Sequence, residues 1–505
     1  IHAADGYARS TGKVGVCFAT SGPGATNLIT GIANAYMDSV PLVVFTGQVA
    51  TNLVGTDSFQ EIDVWGTTVP LTKHNYLVKN IKDLPNTIKE AFHIARTGRP
   101  GPVLVDLPID ILNAEDEFVY PEEVDLPGYK PTYKGHPKQI NALAKSIANS
   151  QRPVILAGGG VINSGASEQL KQLAELCHIP VAMTLQGLGS FPAQHDLCLG
   201  MAGMHGIPAA NIAITECDLL IALGSRFANR VTANVEKFAP KAKVVHVDID
   251  PAEIGKNVAV HIPIVGDIKN VLEELLPKLK PTKREKWLEK VNFWKRTMAI
   301  SYRKQPGIIK PQQVIELLAG LVQEDAIITT EVGQHQMWTA QIFPFSKPRT
   351  LISSGGLGSM GFGFPAAIGA QLANPARQVI AICGDGSFQM NCQEMATAFD
   401  HKLPLTIIIL NNKSLGMVRQ LQEFYCEGRY SQISWPSTPD FVKLAEAFGA
   451  QGKRVETVDE LEPALNWALN NNQLTLLDIL VDQEENVLPM VLTGKGINEM
   501  IGGWD

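Results

Sequence analysis

The stretch Val379-Ile-Ala-Ile-Cys-Gly-Asp-Gly-Ser387 joins an apolar, β-branched run to a Gly-Asp-Gly turn. Near-continuous apolar runs of this kind are typical of strands in parallel sheets that helices cover on both faces. Further runs, each followed by a helical pattern, are Pro41–Gly47, Val103–Asp106, Val154–Ala157, Leu219–Leu223, Val244–Asp248 and Thr406–Leu410. The sequence therefore predicts an α/β protein with doubly wound parallel sheets.

Two proline-rich stretches interrupt the alternation of strands and helices. The first runs from about Leu112 to Pro137, and the second from about Pro277 to Pro311. Such stretches often connect domains, and a chain of 505 residues is long enough for about three of them. We therefore predict three doubly wound domains, at 1–115, 135–280 and 308–505.

Composition excludes several classes of partner. The net charge of −7 leaves no broad cationic surface for nucleic acid. The seven cysteines include no C-x-x-C pair, which is typical of reduced thiols in a cytoplasmic protein. The longest apolar runs have the length of strands, so no membrane span is expected.

The Gly-Asp-Gly turn carries the clearest chemical signal. Asp385 follows one predicted strand and Asn412 follows the next, so both should lie at the same edge of a parallel sheet. A carboxylate, an amide oxygen and a backbone carbonyl near Ser414 are ligands that Mg²⁺ prefers, and Mg²⁺ often bridges to phosphate. Glycines and a helix N-terminus beside them would accommodate a diphosphate. Either turn alone could be an ordinary strand-to-helix connection, but the pair is typical of a thiamine diphosphate site.

Further motifs extend this resemblance over the whole chain. The motifs are Thr20–Asn27, Gly47–Val49, Phe59–Glu61, Gly333–Trp338, Gly355–Gly361 and Asn411–Met417. Together they resemble the pyrimidine-binding and diphosphate-binding domains of acetolactate synthase large subunits.

The resemblance implies specific roles for individual residues. Met360 would support the thiazolium ring, Gln60 would line the pocket, and Arg230 would bind the acceptor carboxylate, although an exposed, salt-bridged arginine is the alternative. Met417 would line the ring, as would Met390, for which core filling is the alternative. The residues implied for thiamine diphosphate are Val332, Gly333, Gln334, His335, Gly358, Met360, Gly386, Ser387, Met390, Gly416 and Met417.

Six glycine- or aspartate-bearing segments of the middle region resemble the FAD-binding domain of biosynthetic acetolactate synthases. Each alone could be an ordinary βα loop, whereas the ordered set is specific. They are Gly158–Gly160, Thr184–Gly187, Gly203–Gly206, Gly224–Arg230, His246–Asp250 and Gly266–Asp267. The implied FAD residues are Arg99, Gly159, Thr184, Leu185, His205, Arg226, Arg230, Asp248, Ile249 and Asp267. In this family the flavin is structural.

The implied reaction is decarboxylation of pyruvate followed by addition to a second 2-keto acid, giving 2-acetolactate or 2-aceto-2-hydroxybutyrate. Alternatives are another carboligase or decarboxylase on the same scaffold, such as a glyoxylate carboligase, a flavin-dependent pyruvate oxidase, and a non-catalytic scaffold. The family also implies a homodimer or homotetramer, and a small regulatory subunit is common among its biosynthetic members.

Several positions depart from the family pattern. Leu421 replaces a tryptophan of the acceptor pocket, Ile109 replaces a lysine, and Ala228 replaces an aspartate beside the flavin. The chain starts within a helical pattern, and the family's catalytic glutamate would lie just before Ile1. We therefore expect an N-terminally truncated polypeptide that is nearly inactive alone.

Overall fold

The computed structural model describes residues 1–435 and 437–504. Its first domain contains a four-stranded parallel sheet in the order β1-β2-β4-β3. The strands are β1 (Gly15–Ala19), β2 (Leu42–Gln48), β3 (His74–Leu77) and β4 (Pro102–Pro108). The helices are α1 (His2–Thr11), α2 (Pro23–Thr26), α3 (Ile29–Asp38), α4 (Val64–Thr68), α5 (Leu84–Arg96) and α6 (Ile109–Leu112).

The middle domain contains a six-stranded parallel sheet in the order β10-β9-β8-β5-β6-β7. Its strands are β5 (Pro153–Ala157), β6 (Val181–Met183), β7 (Cys198–Met201), β8 (Leu219–Leu223), β9 (Lys243–Asp248) and β10 (Ile262–Val265). Its helices are α7 (Pro137–Asn149), α8 (Gly159–Asn163), α9 (Ser167–Cys177), α10 (Pro208–Glu216), α11 (Asn229–Thr232) and α12 (Ile268–Leu275). The β8 side chains are completely buried, as expected for a strand covered on both faces.

The last domain also has a six-stranded parallel sheet, in the order β12-β11-β13-β14-β16-β15. Its strands are β11 (Ile327–Thr330), β12 (Leu351–Ser353), β13 (Val379–Gly384), β14 (Thr406–Asn411), β15 (Gln451–Val455) and β16 (Thr475–Leu480). A short antiparallel pair, β17 (Met490–Val491) and β18 (Met500–Ile501), follows. Three parallel-sheet α/β domains therefore confirm the predicted fold class.

The second connector differs from its prediction, because it contains a long helix. Helix α13 (Glu285–Thr297) buries Trp287, Val291 and Trp294 against the middle domain. These three residues recur at the spacing of one helix face, a pattern that the flanking prolines and lysines obscured. The other helices are α14 (Pro311–Leu321), α15 (Gln334–Ile342), α16 (Gly363–Ala373), α17 (Asp385–Phe388), α18 (Met395–Asp400), α19 (Gly416–Tyr425), α20 (Phe441–Ala447) and α21 (Val458–Asn470).

The first and last domains pack closely through α1 and α16. A side chain at Gly6 would collide with the backbone of Ala366, and one at Gly369 would collide with the backbone of Ala3. Glycines at the crossing let the two helices approach at backbone distance. No helix among the described residues is long and apolar enough to cross a membrane.

Candidate active site and central cavity

The ends of β13 and β14 place the predicted metal ligands at one edge of the last sheet. In the parallel register Gly384 lies opposite Leu410. Asp385 follows β13 directly, and Asn412 follows the end of β14. The side of Gly386 faces Leu415 and Trp435, so the two strand-end segments also pack together.

The Asp385 carboxylate is buried, with only 1% of the residue exposed. Its Oδ2 accepts a hydrogen bond from the Trp435 indole N–H at 3.2 Å. Burial raises the pKa of Asp385 to about 6, because the charged form loses its hydration. A divalent cation at this carboxylate would favour the charged form. Sequence reasoning missed Trp435, since it lies in a loop beyond α19 and no local pattern links it to Asp385.

Asn412 and Ser414 form a compact turn at the same edge. The Asn412 Oδ1 accepts the backbone N–H of Ser414 at 3.1 Å. The Asn412 amide donates to Gln334 Oε1 at 3.2 Å. The Ser414 hydroxyl donates to the Ile433 carbonyl at 2.9 Å. A side chain at Gly416 would collide with the Gln334 and Asn412 amides, which explains the glycine.

A completely buried glutamate, Glu331, connects the helix starts around this edge. Its carboxylate accepts the Ser387 hydroxyl at 2.7 Å and the Gly363 N–H at 2.7 Å. His335 Nε2 lies 3.6 Å from the same carboxylate. That nitrogen is buried and makes no hydrogen bond among the described residues. Sequence reasoning also missed Glu331, which directly follows the β-branched run Ile327–Thr330 that forms β11.

Some of the residues predicted to surround the thiamine ring lie close together. Gly358 packs against Val332, and Gly361, next to Met360, packs against Met390. Met390 is 56% exposed in the single chain, whereas Met417 packs on the edge of the main core. Gly333 caps the N-terminus of α15, the helix that carries Gln334 and His335.

Gln60 lies in the first domain, beside the turn that precedes α2. The backbone and Cβ of Gln60 contact Gly22, which has a φ of 61°. This close approach and the positive φ both favour glycine at position 22. The neighbouring Phe59 is 89% exposed.

A cavity of about 410 Å³ lies where the three domains meet. Nine of the ten predicted flavin residues line it: Arg99, Gly159, Thr184, Leu185, Arg226, Arg230, Asp248, Ile249 and Asp267. His205 is not among the lining residues; it is buried, and its Nδ1 lies 3.2 Å from the Pro489 carbonyl. The Arg230 side chain is exposed and contacts the Met204 sulfur at 3.3 Å.

Several charged groups line the cavity. Arg99 pairs with Glu253 at 2.7 Å and with Asp250 at 3.2 Å. Burial raises the pKa of Asp248 to about 6. The Asp267 carboxylate accepts the Asn270 N–H at 3.2 Å and caps α12. Arginine and carboxylates beside glycine-rich strand ends can bind both the phosphates and the hydroxyls of a dinucleotide.

The cavity wall includes residues that the sequence did not assign. Asp38 of the first domain and Gly355 and Gly356 of the last domain line it together with the middle domain. No motif of the middle domain could indicate a wall supplied by two other domains. Of the family departures, Ala228 lies in the cavity wall, Ile109 is exposed and Leu421 is half-buried.

The donor set fits Mg²⁺ bound together with a diphosphate. Within the described ranges, no group of three or more His, Cys, Asp and Glu side chains could hold a metal. Asp385 is instead accompanied by amide and backbone oxygens, which suits a Mg²⁺ ion that keeps phosphate and water ligands. The buried Nε2 of His335, which has no hydrogen-bond partner in residues 1–435 and 437–504, fits a phosphate oxygen as its partner.

Comparison with known proteins gives the same assignment for all three domains. Residues 1–66 match the N-terminal TPP binding domain of thiamine pyrophosphate enzymes, residues 140–275 match the central domain, and residues 331–479 match the C-terminal TPP binding domain. The chain is 52% identical to the probable acetolactate synthase large subunit of Methanocaldococcus jannaschii, over 99% of this chain and 86% of that protein. It is 49% identical to the acetolactate synthase large subunit of Haemophilus influenzae and 48% identical to the isozyme 3 large subunit of Escherichia coli, each over 99% of this chain and 89% of the relative.

Proposed function

We propose that this chain, which belongs to the acetolactate synthase large-subunit family of thiamine diphosphate enzymes, condenses two 2-keto acids with loss of CO₂. The observation that carries the proposal is the placement of Asp385 and Asn412 at adjacent strand ends, beside His335, whose Nε2 makes no hydrogen bond within the described part of the chain. Pyruvate and a second 2-keto acid would give a 2-acetohydroxy acid, as in branched-chain amino-acid synthesis.

The residues at the sheet edge would bind the cofactor by its diphosphate. Asp385, Asn412 and the backbone at Ser414 would supply oxygen ligands to Mg²⁺. His335 Nε2 would donate to a phosphate oxygen, and Glu331 would hold Ser387 and Gly363 in place for that contact. Thiamine diphosphate, when bound, supplies the electron sink for decarboxylation and carbon–carbon bond formation.

Substrate-side residues would orient the two keto acids and exclude water. Met360, Met390 and Met417 are apolar and would keep the polarity around the reacting carbons low. Gln60 would line the same site from the first domain of a second copy of the chain. The exposure of Phe59 and Met390 in one chain supports a site that a second copy completes, and hence a homodimer or homotetramer.

The central cavity would hold FAD as a structural group. Glycines at strand ends, such as Gly159, leave room for the pyrophosphate. Arg99 would face the phosphates, and Asp248 or Asp267 would accept hydrogen bonds from ribose or adenine. Relatives that carry the name "large subunit" also support a small regulatory subunit as partner.

Product analysis tests the proposal. The complete enzyme, with the glutamate-bearing segment expected before Ile1, is mixed with thiamine diphosphate, Mg²⁺, FAD and pyruvate, and acetolactate, acetaldehyde and hydrogen peroxide are quantified. Acetolactate as the main product is expected. Mainly acetaldehyde would indicate a decarboxylase, and mainly peroxide a flavin-dependent oxidase; either result would contradict the proposed reaction. Cofactor binding, followed by fluorescence without turnover, tests the two sites separately from the reaction.

A further inference from the structure

Asp38 lies at the point where all three domains meet. It is the last residue of α3, and its side chain is only 1% exposed. Its carboxylate accepts the backbone N–H groups of Gly355 at 2.9 Å and Gly356 at 2.7 Å. It also accepts the Gln186 amide at 3.3 Å and pairs with the Arg9 guanidinium at 3.0 Å. One carboxylate therefore joins the first domain to the other two.

The groups that Asp38 holds are also part of the cavity wall. Asp38, Gln186, Gly355 and Gly356 all line the central cavity. A side chain at Gly356 would collide with both Asp38 and Arg226, so the backbone there is in close contact with the wall. A flavin in the cavity would lie against this cluster.

The same two glycines begin the loop that carries Met360. The loop Gly355–Gly361 is also fixed near its far end, because the Ser359 N–H donates to the Ser354 hydroxyl at 2.7 Å. That hydroxyl donates to Asn34 Oδ1 at 2.6 Å. Asn34 and Asp38 both lie on α3, so a single helix of the first domain fixes the loop at two places.

We propose that Asp38 is a positioning residue that couples flavin binding in the central cavity to thiamine diphosphate binding by the Gly355–Gly361 loop. This rests on the proposed function, which assigns the two cofactors to these sites. A flavin that packs against the Asp38 cluster holds the loop in one conformation, so the second cofactor binds without ordering it. Because such coupling is reciprocal, each cofactor tightens the other by the same factor.

Titration of FAD, followed by flavin fluorescence, measures this factor. We expect the Kd for FAD to fall by about 5- to 150-fold when saturating thiamine diphosphate and Mg²⁺ are present. In Asp38→Asn one amide N–H would face a backbone donor and the pairing with Arg9 would weaken, so the ratio should approach one. The matched control is Asp83→Asn, a solvent-exposed position of the same domain, which should keep the wild-type ratio. An unchanged ratio in Asp38→Asn, or a ratio of one in the wild type, would overturn the coupling.

Hydrogen exchange in the wild-type chain gives a second test that needs no variant. FAD alone should slow amide exchange in the peptide covering 354–361. Unchanged exchange with FAD bound would contradict the proposal even where Asp38→Asn does not fold. A wild-type chain that binds neither cofactor would contradict the proposed function and the coupling with it, whereas one that binds both with a ratio of one contradicts the coupling alone.

Discussion

The edge of the last sheet that carries Asp385 and Asn412 and the central cavity both lie at the ends of parallel strands, but they are assembled differently. The proposed metal ligands at the edge follow two adjacent strands of a single sheet, β13 and β14. The cavity takes its walls from all three domains. An edge of one sheet is fixed by strand register, whereas a shared cavity depends on how domains pack.

The two sites also differ in where their buried polar groups find hydrogen-bond partners. At the edge, Asp385, Glu331 and Ser387 are buried polar groups whose partners are close in the same domain. In the cavity, the buried Asp38 accepts hydrogen bonds from Gln186, Gly355 and Gly356 of the other two domains as well as from Arg9 of its own. Replacing an edge residue should therefore weaken the binding of thiamine diphosphate alone. Replacing Asp38 in the cavity wall should weaken the contacts between the domains.

The largest expected effect is that of Asp385→Asn. The change removes the only carboxylate among the proposed Mg²⁺ ligands, so Mg²⁺-dependent affinity for thiamine diphosphate should fall by more than about 100-fold. Isothermal titration with and without Mg²⁺ measures this. FAD affinity, measured without thiamine diphosphate, should stay the same, and so should both affinities in the exposed control Asp400→Asn. Wild-type affinity in Asp385→Asn would remove Asp385 from the metal site.

A second variant, Gly159→Leu, changes the cavity wall instead of the sheet edge. Gly159 lines the cavity and faces Gln186, so a larger side chain would take up space intended for the flavin. Overpacking of about 1–3 kcal/mol corresponds to a loss of FAD affinity of roughly 5- to 150-fold. Flavin fluorescence measures the loss, and thiamine diphosphate binding without FAD should be unchanged. Gly320→Leu, in open space on α14, is the control; equal FAD binding by both variants would show that the flavin lies elsewhere.

The same difference explains what could be predicted from the sequence. The strand before Asp385 and the strand before Asn412 are visible as apolar runs, and parallel strands place their ends together. The positions of Asp385 and Asn412 at this edge were therefore predictable, whereas Glu331 and Trp435 beside them were missed. The glycine turns around the cavity were also visible, because each follows its own strand.

Contacts between segments far apart in the sequence, within a domain or between domains, were not predictable in this way. Asp38 ends an ordinary helix, and nothing near it in the sequence points to Gly355 or Gln186. Trp435 reaches Asp385 from a loop without a periodic pattern. His205 belongs to a motif of the right type, yet the fold places it against Pro489 rather than in the cavity wall. Helix α13 was obscured because prolines and lysines surround its buried face.

A smaller effect is expected from pH at Asp248 in the flavin-free chain. Burial raises the pKa of Asp248 from its ordinary 3.8 to about 6. The neighbouring His246 does not offer a positive charge to the Asp248 carboxylate, because burial lowers the pKa of His246 to about 4. Between about pH 4 and 6 the folded state holds a proton that the unfolded state releases. The contribution of Asp248 to the free energy of unfolding therefore decreases as the pH rises through this window, and comparison with a variant at this position isolates it from the opposite contribution of His246.

Asp248→Asn should remove this decrease while keeping the acceptor for the Asp250 N–H. The variant should match the wild type near pH 4 and exceed it by about 2 kcal/mol at pH 8, since a unit of pKa corresponds to about 1.4 kcal/mol and residual hydration reduces the total. Urea unfolding at the two pH values measures the difference. The exposed variant Asp459→Asn should show no such pH dependence. A variant less stable than the wild type at pH 8 would mean that the Asp248 charge is compensated.

The smallest effect concerns the choice of the acceptor keto acid. Leu421 is half-buried on α19, the helix that also carries Gly416 and Met417. Without a flat indole wall, the extra methylene of 2-ketobutyrate gains only about 1 kcal/mol or less, so we expect weak preference for 2-ketobutyrate over pyruvate. Leu421→Trp should raise that preference about fivefold in a competition assay with the complete enzyme. Val418→Trp, on the same helix and 42% exposed, should not change it. If the unmodified enzyme already gives mostly acetohydroxybutyrate from equal acceptors, the selectivity comes from other residues and Leu421 does not set it.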